Sequence, residues 1–426
     1  MFIIFSLLLG GEKVLLVGSK YQIDLGDRFA AIGHTSDAIK MMAKLRIRDE
    51  PKQCIASDTT NDGYSFQNRS VLTSDVSHVG GLEKSSSEAK ASAAPSDEKK
   101  KNLERNLDVN LHSACTKYIK QNGVWRRNIF IEWVLICVPV ALFITAGILL
   151  RYLRMPMLAT MVLSIAHTKA GWKAHDICHD PGRRNSWLRT LFSAMCTALS
   201  THWWSRRHNA SHHCYPNMVS VDDDIDTSPV LMHKISNRWI HKFQHIYYMI
   251  PFSFLKFSWR LQSVPAASIL ELILFSTHYI IGIYVFGAKL FFISILIDGE
   301  ISAMVTTLNH DAEVKTGTPG DFFQQTLQTT VDIDVPWGIS FLFGHMQYQT
   351  IHHLFPYIPS YRYENLVPVI REFCQNHGLE YRIVSMWEAY TNHKKYYYDV
   401  VRKSVVGSVL EESYYENDGR FQKKSS

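Results

Sequence analysis

No two of the seven cysteines (54, 115, 137, 178, 196, 214 and 374) stand at CxxC spacing. That argues against a disulfide framework or a thiolate zinc site and fits a reducing compartment. No cluster of Lys and Arg interleaved with aromatics occurs, so nucleic acid is not an expected partner. The net charge of +6 is small for 426 residues and suits a basic face against anionic lipid. The opening MFIIFSLLLGG is not expected to act as a secretory leader. It has no basic n-region, a very short apolar run and no convincing cleavage site. Aromatics are missing from 83–105, EKSSSEAKASAAPSDEKKKNLER, which reads as a disordered, solvated tether.

What is present is apolar sequence in blocks. Residues 128–150 are long enough to span a bilayer, at about 20 residues per crossing. Residues 157–172 form a shorter candidate, and 266–308 divides near Gly287-Ala288-Lys289 into two more. The semi-apolar stretch 187–204 is expected to lie at the interface. Glu271, Asp298 and Glu300 fall within the second block, and such charges should face a bundle interior or lie near an end. Lys117, Lys120, Arg126 and Arg127 precede the first span, and Lys173, Arg183, Arg184, Arg206 and Arg207 follow the second. The opposite turns carry only Arg151, Arg154 and Lys289. Four spans and this asymmetry put both termini and the 171–265 loop in the cytosol.

Histidine is abundant, at twenty residues, and clustered. HDICH holds His175 and His179, HNASHH holds His208, His212 and His213, and QTIHH holds Gln349, His352 and His353. All three clusters fall on the expected cytosolic side. Histidines four apart share a helix face, so His175/His179 and His208/His212 can each converge. Adjacent histidines diverge by about 100° around a helix, so His212/His213 and His352/His353 can each serve two neighbouring metals. Neutral imidazoles suit Zn, Cu, Fe or Ni, and zinc has no redox chemistry. Imidazoles gathered beside apolar spans point to iron, O2 and oxidation of a lipid chain. His167, His202 and His345 lie off pattern and read as structural. The acidic run Asp222–Asp224 reads as solvated.

The three boxes resemble those of the membrane fatty acyl desaturase family. QxxHH followed by LFP resembles the front-end subgroup, which adds a double bond between an existing one and the carboxyl end. GWKAHDICHD, THWWSRRHN and YPNMVSVDDDIDTSPVL fit as well, and the likeness covers roughly 125–395. One departure is the second box, HxxxHH where the subgroup has HxxHH, which leaves the placement of His208 open. The resemblance implies an all-α polytopic membrane protein with about four transmembrane helices and a cytosolic di-iron cap. It implies two iron ions held by His175, His179, His208, His212, His213, His310, His352 and His353. Gln349 would be a ligand or a group behind one. Asp176, Asn309 and Asp311 would stand behind the ligands, and Trp203, Trp204 and Tyr348 would line an acyl tunnel. It further implies an acyl lipid or acyl-CoA substrate, O2, cytochrome b5 with NADH-cytochrome b5 reductase as electron donors, and the endoplasmic reticulum membrane.

GDRFAAIGHTSDAIKMMAKL resembles the second half of a cytochrome b5 haem domain, a small α+β unit. His34 matches one axial haem ligand, but Leu8-Leu9-Gly10-Gly11 stands where an HPGG motif would supply the other. A bis-histidine haem b site cannot form with one histidine. Either the reading begins late, or the unit is degenerate and a separate cytochrome b5 delivers electrons. The expected organisation is a partial haem-like domain over 1–50, a linker over 51–124, the desaturase domain over 125–400 and a tail over 401–426. A sphingoid-base desaturase or lipid hydroxylase on the same scaffold stays open, and product analysis separates them. A non-catalytic metal-binding or transport protein is the alternative of another class; transport would favour ligands within the membrane.

Overall fold

The computed structural model describes residues 111–402 except 122–124, 181–186, 218–221, 225–226, 228, 234–235 and 311–321. The expected haem-like unit with His34, the linker up to 110, Asp311 and the tail from 403 lie outside the described residues. The first helix among the described residues, α1, covers 111–121. Its Leu111, Cys115 and Ile119 enter the same apolar core as Phe355, Tyr363 and Ile370. The packed unit therefore starts before 125, inside the stretch expected to be linker.

Helix α2 (Ile129–Arg151) begins where the Asn128 side chain accepts from the amides of Phe130 and Ile131. After the turn 152–155, Pro156 opens α3 (Pro156–His179) at a position where its missing N–H costs nothing. Next come α4 (Trp187–Thr190), which runs into a wide π turn at Leu191–Thr197, and α5 (Thr201–Trp204), which runs into another at Ser205–His212. Short turns over 239–253 lead to α6 (Leu255–Ser263). A capping box between Ser268 and Glu271 starts α7 (Ile269–Phe286), and Gly287, at φ 76°, turns the chain into α8 (Ala288–Leu308).

Three of these helices, α2, α7 and α8, are long and apolar enough to cross a membrane. Helix α3 has the length but not the composition. Its C-terminal half carries Lys169 bonded to the Phe341 carbonyl at 2.6 Å, Lys173 paired with Glu132 at 2.8 Å, and two box histidines. The acidic residues of the apolar block are all engaged. Glu271 accepts from the Thr201 amide at 2.8 Å, Asp298 from Thr168 at 3.0 Å, and Glu300 from Ser253 at 2.9 Å.

The stretch 187–204 is not one interfacial helix, because Ala198 turns left-handed at φ 53° and divides it. The exposed apolar row lies further on, in Trp239, Ile246, Ile250, Phe254 and Leu261. Their inward counterparts Phe252, Lys256, Trp259 and Arg260 are buried. Such a two-faced segment suits a bilayer surface.

The cap contains α9 (Phe322–Thr329), β1 (Asp332–Asp334), α10 (Trp337–Leu342), α11 (Gln349–Leu354), α12 (Tyr363–Asn376), β2 (Ile383–Ser385) and α13 (Met386–Asp399). The molecule is mostly helical, yet β1 and β2 pair in parallel with Ile333 opposite Val384. That small sheet departs from an all-α expectation. It closes where the chain returns from α12 to the end of α8, and it fixes the approach to the third histidine box.

Gly299 is where α8 meets the turn before α6. A Cβ there would meet the Ser253 carbonyl oxygen well inside van der Waals distance. Backbone cannot yield as a side chain can. Gly299→Ala should cost about 1–3 kcal/mol, as overpacking does. Thermal unfolding of the detergent-solubilised protein should show a lower midpoint, and an unchanged midpoint would contradict this packing.

Candidate metal centre

The last turns of α3 carry His175 and His179, four residues apart on one face. Helix α11 carries His352 and His353, and His310 follows the end of α8. The second box lies on the π turn Ser205–His212, closed by the His213 amide bonding to the His208 carbonyl at 3.0 Å. A π turn accommodates one residue more than an α turn. It absorbs the extra residue of HxxxHH and brings His208 and His213, five apart, to one point, with Nε2 atoms 3.2 Å apart. His208 and His212 still converge as their spacing predicts, their rings stacked with centroids 5.1 Å apart, and the π turn adds His213 to His208.

Two adjacent sets result. His175, His179, His208, His213 and His352 bring ring nitrogens within 4.8 Å of one another, and so do His212, His310 and His353; His208, His212 and Asp224 form a third such group that joins the two. Each adjacent pair is divided between the sets: His213 and His352 go to the first, His212 and His353 to the second. All eight rings are buried. Gln349 joins the second set, its amide nitrogen 3.0 Å from His310 Nε2. Turning the amide by 180° offers its oxygen to the same point instead.

The carboxylates behind the rings are not those expected. Asp222 accepts from His212 Nδ1 at 2.9 Å, and Asp224 accepts from His208 Nδ1 at 2.7 Å and from Arg207 at 2.7 Å. The run Asp222–Asp224 is therefore not a solvated face, since Asp222 is only 1% exposed. The phenol of Tyr363 lies 3.1 Å from His352 Nδ1. Asp176 instead accepts from Ser360 at 2.9 Å, and Asn309 donates to the carbonyls of Val331 and Gln347. Neither reaches a ring in those bonds. Asn217, which no expectation singled out, donates to the carbonyls of His310 and Thr329.

A cavity reaches His175, His208, His212, His310 and Gln349. Trp204 lines it and stacks on His208 with ring centroids 4.6 Å apart. Trp203 and Tyr348 do not line it: Trp203 sits beside the Arg207 guanidinium, and Tyr348 is bridged to Asp332 through backbone. The off-pattern histidines stay away from the centre. His202 is exposed, His345 lies 3.2 Å from Ser340, and His167 packs against His278 and Phe291.

The donor set fits metal cations. Each of His208 and His212 holds a carboxylate on Nδ1, which fixes the proton there and leaves Nε2 a lone pair. Nε2 of His208 nevertheless faces those of His175 at 2.9 Å and His213 at 3.2 Å. Nitrogens bound to one cation at about 2.1 Å and at right angles stand about 3 Å apart. The buried Nε2 of His352 has no hydrogen-bond partner. Burial, followed by neighbouring imidazoles, holds His352 and His353 well below the usual histidine pKa. They are thus neutral, as metal ligation requires. Burial would lower His212 too, but the Asp222 carboxylate outweighs it and raises that ring.

Asp222→Asn and Asp224→Asn each remove the anionic partner of a ring while keeping its size. Each should weaken metal binding by about 10–100-fold. Competition with a chelator, with circular dichroism to confirm the fold, measures this; unchanged affinity in both variants would contradict the assignment.

A family model described as fatty acid desaturase matches residues 152–385, more than half of the chain. The chain is 27% identical over 257 residues to the acyl-lipid 8-desaturase of Rebecca salina, covering 53% of this chain and 59% of that protein. It is 25% identical over 254 residues to human fatty acid desaturase 3, covering 53% and 57%. It is 24% identical over 283 residues to the Delta(6)-fatty-acid desaturase fat-3 of Caenorhabditis elegans, covering 57% and 64%. The chain thus spans about three-fifths of the length of these relatives. The matched region contains all three histidine boxes and the residues that hold them, and the chain belongs to the fatty acid desaturase family.

Proposed function

We propose that the chain is a membrane di-iron front-end acyl desaturase. It would introduce a cis double bond between an existing one and the carboxyl end of an unsaturated acyl chain. The carrying observation is the gathering of eight buried imidazoles into two adjacent sets, of which His175, His208, His212 and His310 line one cavity. Family membership favours this chemistry over metal transport, and relatives named for 8- and Delta(6)-desaturation favour the front-end reading.

The first set, with His175, His179, His208, His213 and His352, would hold one iron. His212, His310 and His353, with Gln349 as ligand or support, would hold the other. When bound, the iron pair supplies O2 activation and the oxidising power to remove two hydrogens from unactivated carbons. The rest is the work of the chain. Asp222 and Asp224 hold the Nδ1 protons of His212 and His208, so that the lone pairs stay aimed inward. Tyr363 does the same for His352. Trp204 and Trp259, with centroids 5.3 Å apart, wall the cavity beside His208 and keep water from the acyl chain. Fixing the chain in one register against the centre would supply much of the catalytic advantage.

We further read α3 as a fourth crossing beside α2, α7 and α8, with the boxes and termini in the cytosol and the protein in the endoplasmic reticulum membrane. Its substrates would be an acyl lipid or acyl-CoA and O2. Electrons would come from cytochrome b5 and its NADH-dependent reductase. The charge asymmetry around the spans supports this orientation.

Expression in a yeast lacking polyunsaturated lipids, with defined unsaturated acids supplied, tests the reading. A new double bond on the carboxyl side of the existing one is expected when a cytochrome b5 is co-expressed. His352→Ala should abolish that product and lower bound iron. A hydroxylated product, or normal turnover in the variant, would contradict the proposal.

A further inference from the structure

Three lysines are buried near the cavity end of α3. Two have partners: Lys169 reaches the Phe341 carbonyl and Lys173 the Glu132 carboxylate. Lys256 is different. It is 7% exposed, on the inward face of α6. Among the described residues its ammonium makes no hydrogen bond and no ion pair. It rests between two indoles, with centroids at 5.9 Å for Trp172 and 5.4 Å for Trp259. Burial pushes its pKa down, and Asp298, which opposes that from a distance, is itself bonded to Thr168 and Ser302. Arg260, one turn further along α6, donates to the Thr197 carbonyl.

Among the described residues no protein acceptor reaches the three N–H groups of Lys256, which are open to the cavity instead. It lines the cavity that reaches the histidine centre. The position of a Cβ on Gly171 lies 3.4 Å from Nζ, and Gly171 precedes His175 by four residues on α3. The ammonium therefore stands roughly one helical turn, about 6 Å along the axis, from a centre-facing imidazole. The exposed apolar row of 239–264 puts α6 at the depth of a bilayer surface, where the oxygen atoms of lipids lie.

We propose that Lys256 binds the oxygen end of the acyl substrate, its carboxylate or its ester carbonyl, and so sets how far that end stands from the histidine centre. The inference rests on the desaturase reading and deepens it. A front-end reaction counts carbons from the oxygen end, so it needs an anchor there at short range. The ammonium gains an acceptor, and the chain beyond it lies along the Trp204 and Trp259 faces.

Equilibrium binding to the full chain in detergent, by displacement of a fluorescent acyl probe, tests this without turnover. The ligands are linoleic acid, its methyl ester and the hydrocarbon with the same double bonds. The intact protein should prefer the acid, the ester or both over the hydrocarbon by at least about tenfold, the value of one hydrogen bond to a charged group. Preference for the acid alone would name the carboxylate, and equal preference the carbonyl. Lys256→Met should erase the preference and leave hydrocarbon binding unchanged, while Lys256→Arg should retain part of it. No preference in the intact protein overturns the proposal even if the variants fail to fold, and so does a preference that survives in Lys256→Met. Product formation by the intact enzyme in yeast is read separately. A protein that desaturates without the preference loses only the anchor.

Discussion

Lone pairs facing lone pairs are the constraint on which this structure depends. Eight imidazoles are buried with ring nitrogens aimed at two points, and hydrogen bonds among themselves cannot satisfy them all. Without cations such a cluster opposes folding; with them, metal binding adds directly to stability. Three separate regions of the chain and the end of α8 must meet at those points. Much of the cap can be understood as what brings them together.

The local devices are specific. The π turn of the second box alters the angular spacing of its histidines, so that His208 and His213 serve one set and His212 the other. Helix α11 is held from behind by Asp332, whose carboxylate accepts from the Thr350 amide at 2.8 Å and from the Tyr381 phenol. Burial raises the pKa of Asp332 to about 7, so this support depends on a group whose ionisation is itself costly. Pairing of β1 with β2 brings Tyr381 near Asp332, which explains why a small parallel sheet interrupts a helical protein. On the membrane side, the Lys173–Glu132 pair ties α3 to α2 just before the first box begins.

Much of the centre was legible in the sequence, because box spacing is a local property. His175/His179 and the division of His352 from His353 follow from helical geometry. Three things were not legible. The pitch of the turn at 205–212 depends on packing, so an α-helical projection finds His208 beside His212 but not His213 beside His208. The acidic run at 222–224 looked like any solvated loop, since only the fold shows that it returns to the second box; its proximity to HNASHH was the available signal. Tyr363 lies eleven residues beyond His352 and reaches it only because the chain doubles back after Pro359. On the membrane side, α2, α7 and α8 were plain from hydropathy, whereas the surface row from Trp239 to Leu261 was missed because short turns interrupt its periodicity.

Metal analysis of the purified full chain, combined with Mössbauer spectroscopy after expression in iron-57 medium, tests the central claim most directly. One iron for each imidazole set, two per chain, is the predicted result. A single iron, or zinc in place of iron, would contradict the account.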